Sequence, residues 1–482
     1  MLKKILTVTA AAVMVMAAAP QGMTAETKSD KARLVVLTDI EADADDSESL
    51  VRLLLYSSEI DIEAIIATTS VHQKTMVAPD TIRRTIEAYG KVQPNLLKHE
   101  AGFPDAKSLL ARVSEGLAVY GMAGVGENED SPGSRRIVQI LDEADARPLW
   151  VAVWGGPNTL AQALYTIRKS RSPAEAARLI AKLRVYTISD QDDSGAWLRK
   201  TFPDLYYVVS PGGYGAATWT GIMHVEPGLD NSEISNGWLR DNIQQGHGPL
   251  GLMYPDVAYG MEGDTPSFLW LIPNGLNAPD HPDWGGWGGR YRNYIPQMAD
   301  TDPTGFTGGV PVEQETRPIW TNVIDTTTPY VAADYGRAVA PAGASAMGYR
   351  TTLWRWRKDF QNDFAARMDW TIKPYGEANH PPVVRLGHAD RFTVKSGETF
   401  WLSAAGSSDP DGDSLSYLWF NYVEAGSLTK PIAPNWAENL YRVPVTAPVV
   451  TKPETAHFIL KVTDKGSPPL TRYARVIVTI MP

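Results

Sequence analysis

No cysteine occurs at any of the 482 positions. Disulfide bridges and thiolate metal sites are therefore excluded. A secreted domain of animal origin would often carry bridges, so their absence fits a bacterial envelope or secreted protein. Basic charge is in deficit: 45 Lys and Arg stand against 55 Asp and Glu, a formal charge of -10. Nucleic acid is accordingly excluded as a partner, because phosphate binding needs a basic surface. Solenoid repeats and low-complexity tracts are also missing. The apolar run Ile5 to Ala19 is short for a membrane span, and no stop-transfer segment follows it.

That run is preceded by Lys3 and Lys4 and followed by small residues, the layout of a secretory signal with cleavage after Ala25. Removing residues 1–25 takes away two lysines and moves the formal charge from -10 to -12. The expected location is secreted or periplasmic, in a bacterium, with no membrane partner once the signal is gone.

What the chain does have is acid in one place. Asp39, Glu41, Asp43, Asp45 and Asp46 follow the apolar run Leu34-Val35-Val36-Leu37, which reads as a buried parallel strand. Ser47 to Tyr56 then has apolar residues at helical spacing. The acids sit at a strand-to-helix turn, and in an open α/β sheet ligands bind at the carboxyl ends of strands. Like charges packed this closely are costly unless a cation neutralises them, and calcium is the economical choice. The alternative is a solvated acidic loop that caps the next helix. An EF-hand fails on detail: counting from Asp39, the sixth position is Ala44 rather than Gly and the twelfth is Leu50 rather than Glu.

From Ala32 onward, strand-like and helix-like segments alternate. Strands are expected at Ile60 to Thr69, Pro148 to Trp154, Arg184 to Ser189 and Leu205 to Val209. Helices are expected at Thr81 to Tyr89, Thr159 to Arg168 and Ser172 to Leu183, the last with Ser172 as its N-cap. This alternation predicts an α/β fold with a mainly parallel, doubly wound sheet. From about Gly212 to Asn379 the text turns rich in Gly, Pro, Trp, Asn and Asp, as long functional loops would. Thr351 to Trp370 looks helical again. Beyond Asn379-His380-Pro381-Pro382, short strands at close spacing predict a β-sandwich. Asp409-Pro410-Asp411-Gly412-Asp413 is the turn before a Trp-bearing strand, and reads as an acidic β-turn or a second cation loop. The expected division is a signal at 1–25, an α/β domain at 32–377 and a β-sandwich at 378–482.

The acid turn resembles the signature Asp-Thr-Asp-Pro-Gly-X-Asp-Asp of the inosine-uridine nucleoside hydrolases. Asp39 matches the first Asp, Glu41 the second, and Asp45 and Asp46 the closing pair. Glu41 replaces an Asp, and Ala42-Asp43 replaces Pro-Gly. Trp154-Gly155-Gly156-Pro157-Asn158 resembles the turn that lends the metal a backbone carbonyl. Glu262-Gly263-Asp264-Thr265-Pro266 resembles the late His-Asp-Pro segment, with Gly263 standing where many members have a histidine. The long segments Ser189 to Gly195, Gly246 to Gly251, Glu262 to Phe268 and Asp283 to Tyr291 are similar to a bacterial branch described as cellulose-binding, with a nucleoside-hydrolase-like domain followed by an Ig-like domain.

The resemblance implies a calcium site built by Asp39, Glu41, Asp46 and Asp264, with Glu41 as general base. Glu41, Asp45, His247 and Glu262 are the catalytic candidates. Two readings stand for His247, a proton donor or a side chain satisfying a backbone carbonyl; Glu262 is a proton donor or an arginine partner. Asn158, Asp190, Asp192, Asp193, Trp284 and Trp287 are the substrate candidates. Asn158 orients a hydroxyl or caps a helix, and Asp193 binds substrate or caps the helix after it. Trp284 and Trp287 form a stacking platform for a sugar or anchor a loop. The expected activity is a metal-dependent glycosidase acting on a plant or algal cell-wall saccharide. The rival expectations are a non-catalytic carbohydrate-binding protein and a nucleoside N-ribohydrolase.

Overall fold

The structure is a computed structural model. It describes residues 31–210, 218–227, 230–297, 310, 313–327, 331–332, 338–339, 346–434 and 439–482. The leader read as an export signal lies outside the described residues. Among those described, no helix is long and apolar enough to cross a membrane.

One eight-stranded sheet organises the first part of the chain. Its strands are β1 (Ala32–Thr38), β2 (Ile60–Ala67), β3 (Val113–Glu115), β4 (Leu149–Val153), β5 (Leu183–Thr187), β6 (Tyr206–Val209), β7 (Tyr291–Tyr294) and β8 (Ile319–Asn322). They lie in the order β3-β2-β1-β4-β5-β6-β8-β7. All neighbours run parallel except β7 and β8, which are antiparallel. Successive side chains of a strand face opposite ways. Leu34 and Val36 of β1 thus enter one apolar core, and Val35 and Leu37 enter another on the opposite face. All four are fully buried, which is why this strand reads as an unbroken apolar run rather than an alternating one.

Helices cover both faces: α1 (Asp45–Leu55), α2 (Pro79–His99), α3 (Ala106–Leu110), α4 (Pro132–Asp142), α5 (Asn158–Ser170), α6 (Pro173–Ile180) and α7 (Ser194–Thr201). Ser172 caps α6 as expected, its hydroxyl accepting from the Glu175 amide at 3.3 Å. The sheet grows outward in both directions from β1 and β4, so the crevice between their carboxyl ends is the switch point where doubly wound proteins bind ligands. The acid turn follows β1 and the Trp154-Gly155-Gly156-Pro157 turn follows β4, one on each side of that crevice.

Short strands β9 (Asp325–Thr327), β10 (Val331–Ala332), β11 (Ala338–Val339) and β12 (Ala346–Gly348) pair in two small ribbons. The helical segment expected from Thr351 to Trp370 is there as Thr351–Trp354 and Arg357–Asp369. A β-rich domain follows, with β13 (Arg391–Lys395), β14 (Thr399–Ser403), β15 (Ser416–Asn421), β16 (Arg442–Thr446), β17 (Glu454–Thr463) and β18 (Thr471–Met481). A four-stranded sheet, β13-β18-β17-β15, and a two-stranded sheet, β14-β16, enclose a core of Phe400, Leu402, Trp419, Val443, Phe458, Leu460 and Val476.

This domain is fastened to the α/β part through buried and half-buried polar pairs. Lys461 Nζ reaches Asp359 Oδ1 at 2.6 Å, and Arg472 Nη1 reaches Asp363 Oδ1 at 2.7 Å. Tyr422 donates its hydroxyl to Asp325 Oδ2 at 2.6 Å. Trp287 lies in the same seam. It is fully buried, edge-on to Phe360 and Tyr473. The expectation of a Trp287 sugar platform is therefore wrong: the ring is packing between the two parts of the chain and has no face open to a ligand.

Candidate functional site

The turn after β1 is built by its own side chains. Thr38 Oγ1 donates to Asp46 Oδ1 and accepts from the Ile40 amide at 3.1 Å. Asp43 Oδ1 accepts from the Asp45 amide at 3.1 Å, and Asp45 Oδ1 from the Asp46 amide at 3.1 Å. These bonds wind the chain into α1 and turn the remaining carboxylate oxygens toward one space. Oxygens of Asp43, Asp45 and Asp46 come within 4.8 Å of one another.

That space is a cleft of about 1080 Å³. Asp39, Asp43, Asp45, Asp46 and Asp264 all line it, with Trp154, Trp219, Tyr259, His72, His224 and Arg350. Asp264 arrives from far along the chain, just ahead of the short helix Pro266–Leu269. It is 1% exposed, and its Oδ2 is buried without a hydrogen-bond partner. Burial pushes the Asp39 carboxyl up to about 6. Burial first, and then the neighbouring negative charges, hold Asp45, Asp46 and Asp264 well above the usual carboxylate range.

Two glycines make room for this crowding. A Cβ at Gly155 would lie 2.8 Å from Asp39 Oδ1, and one at Gly263 would lie 2.6 Å from Asp45 Oδ2. The donor set is all oxygen, largely desolvated, and contains an orphaned carboxylate oxygen. It fits a hard cation. Of the turn from Trp154 to Pro157, expected to lend the metal a backbone carbonyl, the Trp154 carbonyl accepts from the Gln191 side-chain amide.

Several expected site residues are elsewhere. Glu41 is the largest correction. Its φ of 83° turns its side chain out of the cage, onto α2. There it accepts from Thr81 Oγ1 and faces Arg84 Nη2 at 3.5 Å, with 41% of its side chain exposed. Neither a ligand nor a general base stands at that place. Asp43, one of the acids of the turn but not of the ligand set that the resemblance implies, brings an oxygen to the cage in its stead.

Glu262 is fully buried behind the cleft. Arg52 Nη2 and the Tyr254 hydroxyl donate to its Oε1 at 2.9 Å and 2.8 Å. Of its two readings, the arginine partner holds. Burial of Glu48 first, and then the charge of Glu262 beside it, lift the Glu48 carboxyl to about 9. His247 is buried too, with Nε2 3.2 Å from Asp369 Oδ1 and its carbonyl accepting from Thr371 Oγ1 at 3.0 Å. It does not line the cleft and cannot protonate a leaving group there.

Asn158 uses its amide to tie loops together, donating to Thr69 Oγ1 at 3.1 Å and the Val119 carbonyl at 2.8 Å. Asp190 does line the cleft, but Arg199 clasps both its oxygens at 2.8 Å and 2.7 Å. Asp192 is buried behind the wall, where its Oδ1 accepts from the Ser194 amide at 2.8 Å and burial raises its carboxyl to about 7. Asp193 Oδ1 accepts from the Met122 amide at 2.8 Å, so it neither caps α7 nor reaches the cleft. Trp284 lies away from the acids, stacked on His281 at 3.8 Å between ring centroids and covered by Arg391 and Arg475. The aromatics that line the cleft with exposed surface are Trp219 and Tyr259, and no local pattern marks them, while Trp154 is fully buried beneath it.

An acid cleft at the switch point of a parallel sheet, entered through a strand, an Asp-rich turn and a helix, defines a nucleoside-hydrolase-like domain. Residues 33–291 match the family described as "Cellulose-binding Sde182, nucleoside hydrolase-like domain". Residues 399–480 match "Cellulose-binding protein Sde0182, C-terminal domain". The chain belongs to this nucleoside hydrolase-like, cellulose-binding family. Among solved structures it is similar to a nucleoside hydrolase-related hypothetical protein from Saccharophagus degradans, described as associated with carbohydrate metabolism. The two share 35% identity over 94% of this chain and 100% of the other, with a TM-score of 0.76. The effector protein XOO4466 aligns at 11% identity over 60% of this chain and 87% of its own, with a TM-score of 0.26, too low to bear on the fold. No curated protein matches.

Proposed function

We propose that the protein is an exported, calcium-dependent hydrolase that binds a cell-wall saccharide in the acid cleft and cleaves a glycosyl bond. One observation carries this reading: Asp39, Asp43, Asp45, Asp46 and Asp264 share a cleft whose walls carry Trp219 and Tyr259. Flat aromatic faces beside a few fixed polar groups suit a sugar ring.

Asp39, Asp43, Asp46 and Asp264 would hold the ion. When bound, it offsets the clustered negative charge and orients water or sugar hydroxyls by coordination. Asp45 is the general base. It is 8% exposed, it opens on the cleft, and burial raises its proton affinity above that of an ordinary carboxylate. The remaining carboxylates stabilise positive charge developing at the anomeric carbon. His72 and His224 replace His247 and Glu262 as candidates for protonating the leaving group, because they line the same cleft. The β-rich part fits an Ig-like module, with domain limits of 32–377 and 378–482.

The test is release of reducing sugar from a panel of wall polysaccharides. Release that EDTA abolishes and Asp45→Asn lowers supports hydrolysis. One observation favours a second reading, a non-catalytic carbohydrate-binding protein: Glu41, His247 and Glu262 are all turned away from the cleft. Retention on insoluble cellulose without turnover on any substrate would establish that reading. Base release from inosine or uridine, assayed in parallel, would establish a nucleosidase.

A further inference from the structure

We infer a second calcium site, separate from the acid cleft, that draws on Asn379 Oδ1, Asp409 Oδ2 and Asp464 Oδ2 at the root of the β-rich domain. The three residues come from distant segments: the linker before β13, the acidic turn before β15, and the end of β17. None of them lines the acid cleft.

Each side chain has one polar atom fixed by protein and a second oxygen left over. Asp464 is fully buried. Its Oδ1 accepts from the Gly466 amide at 3.1 Å, the Leu470 amide at 2.9 Å and Asn379 Nδ2 at 3.1 Å. Its Oδ2 is shut off from solvent with no partner. Asn379 is 6% exposed. Its Nδ2 also donates to the Pro468 carbonyl at 2.8 Å, while its Oδ1 is buried and unpartnered. Asp409 Oδ1 accepts from the amides of Asp411 and Asp413 at 2.9 Å and 3.1 Å, and its Oδ2 is again buried and unpartnered.

Buried polar atoms are satisfied in native proteins, so each of these three orphaned oxygens calls for a partner, and one cation would serve them together. Asn379 and Asp464 are in direct contact. Asp409 is close enough that its charge acts on the Asp464 carboxyl, which burial already holds above its usual value. Two carboxylates and an amide oxygen are hard donors, and they call for a hard cation rather than a transition metal. Calcium accepts six to eight oxygens in irregular arrangements, whereas magnesium demands a near-ideal octahedron. Oxygens supplied by three unrelated loops favour calcium.

The site has a mechanical consequence. The Asn379 carbonyl accepts from Trp370 Nε1 at 2.9 Å, and the next residue, His380, donates its amide to Asp411 Oδ2 at 2.7 Å. An ion on Asn379, Asp409 and Asp464 therefore clamps the linker to two loops of the β-rich domain, beside the last helix of the α/β part.

The experiment is calcium titration by calorimetry on the full chain, with thermal unfolding recorded on the same samples. Asp464→Asn, Asp409→Asn and the cleft variant Asp264→Asn are compared with the parent. The expected result is one calcium ion fewer for either junction variant, with smaller calcium-induced stabilisation. Asp264→Asn is expected to lose a different ion, so that Asp264→Asn with Asp409→Asn loses both. If Asp464→Asn does not fold, Asp409→Asn, on a half-buried turn, decides alone. An unchanged calcium count in a folded Asp409→Asn protein overturns the proposal and assigns the three oxygens to water or a shared proton.

Discussion

The carboxylate of Asp45 lies against the α-carbon of Gly263, so that a Cβ there would sit 2.6 Å from Asp45 Oδ2. The glycine belongs to the same short segment as Asp264, and it is what lets that segment close over the acid turn. Adding a methyl group must push Asp45 or the segment away.

Gly263→Ala is therefore expected to lower calcium affinity at the cleft by tenfold or more, about 1.4 kcal/mol. Overpacking a filled site typically costs about 1–3 kcal/mol in stability. Calorimetric titration and a thermal unfolding curve measure both effects. A calcium affinity equal to the parent's would show that Asp45 and Gly263 do not share the cation's surroundings.

Glu41 and Asp46 are neighbours in sequence with opposite expectations. Glu41 sits on the surface of α2 beside Thr81 and Arg84, where an exposed pair contributes about 0–1 kcal/mol. Glu41→Gln should leave calcium affinity and turnover at the parent's level. Asp46 is buried in the cage, and Asp46→Asn should cost at least tenfold in calcium affinity, about 1.4 kcal/mol. Loss of function in Glu41→Gln would mean that the side chain swings inward in the working protein.

This contrast also marks where the sequence stopped being readable. The apolar run of β1, the acids after it and the helix beyond are local, so their pattern is visible within a short window. The switch point could be placed for the same reason. The direction of each acid depends on φ, and at Glu41 the left-handed backbone reverses what alternation alone implies. His247 and Glu262 were misplaced for a different reason. Their partners, Asp369 and Arg52, are distant in the chain, and only the folded arrangement shows that both side chains are already occupied. Asp264 lines the cleft despite its distance along the chain, and it was readable only through the resemblance of its segment to the late His-Asp-Pro segment.

The charge cluster predicts a pH dependence whose sign reverses on adding calcium. Burial raises the Asp39 carboxyl from 3.8 to about 6, so the folded cation-free protein holds this proton more tightly than the unfolded chain does. The resulting stability is fully present below pH 3.8 and is lost as pH rises through about 6. Each such proton changes stability by up to about 1.4 kcal/mol per pH unit within its window. Calcium displaces protons from its ligands, so its stabilising effect should grow across the same interval. Melting temperatures in EDTA and in calcium should therefore diverge as pH increases from 4 to 7 in that window's upper reach. Parallel curves would show that the carboxylates do not meet at a cation.

Trp287 and Trp219 separate packing from recognition. Trp287 is fully buried between Phe360 and Tyr473, so Trp287→Ala should destabilise the protein by about 3–5 kcal/mol, the usual cost of emptying so large a site. Saccharide binding per folded molecule should be unchanged, because this ring lies in the seam with the β-rich domain. Trp219 faces the acid cleft, and Trp219→Ala should weaken saccharide binding by roughly 1–2 kcal/mol while changing the melting temperature less than Trp287→Ala does. Glycan affinity electrophoresis alongside thermal unfolding distinguishes the two. If Trp287→Ala abolishes glycan retention in protein that is still folded, the seam between the domains takes part in recognition. The acid cleft would then no longer account for carbohydrate binding on its own.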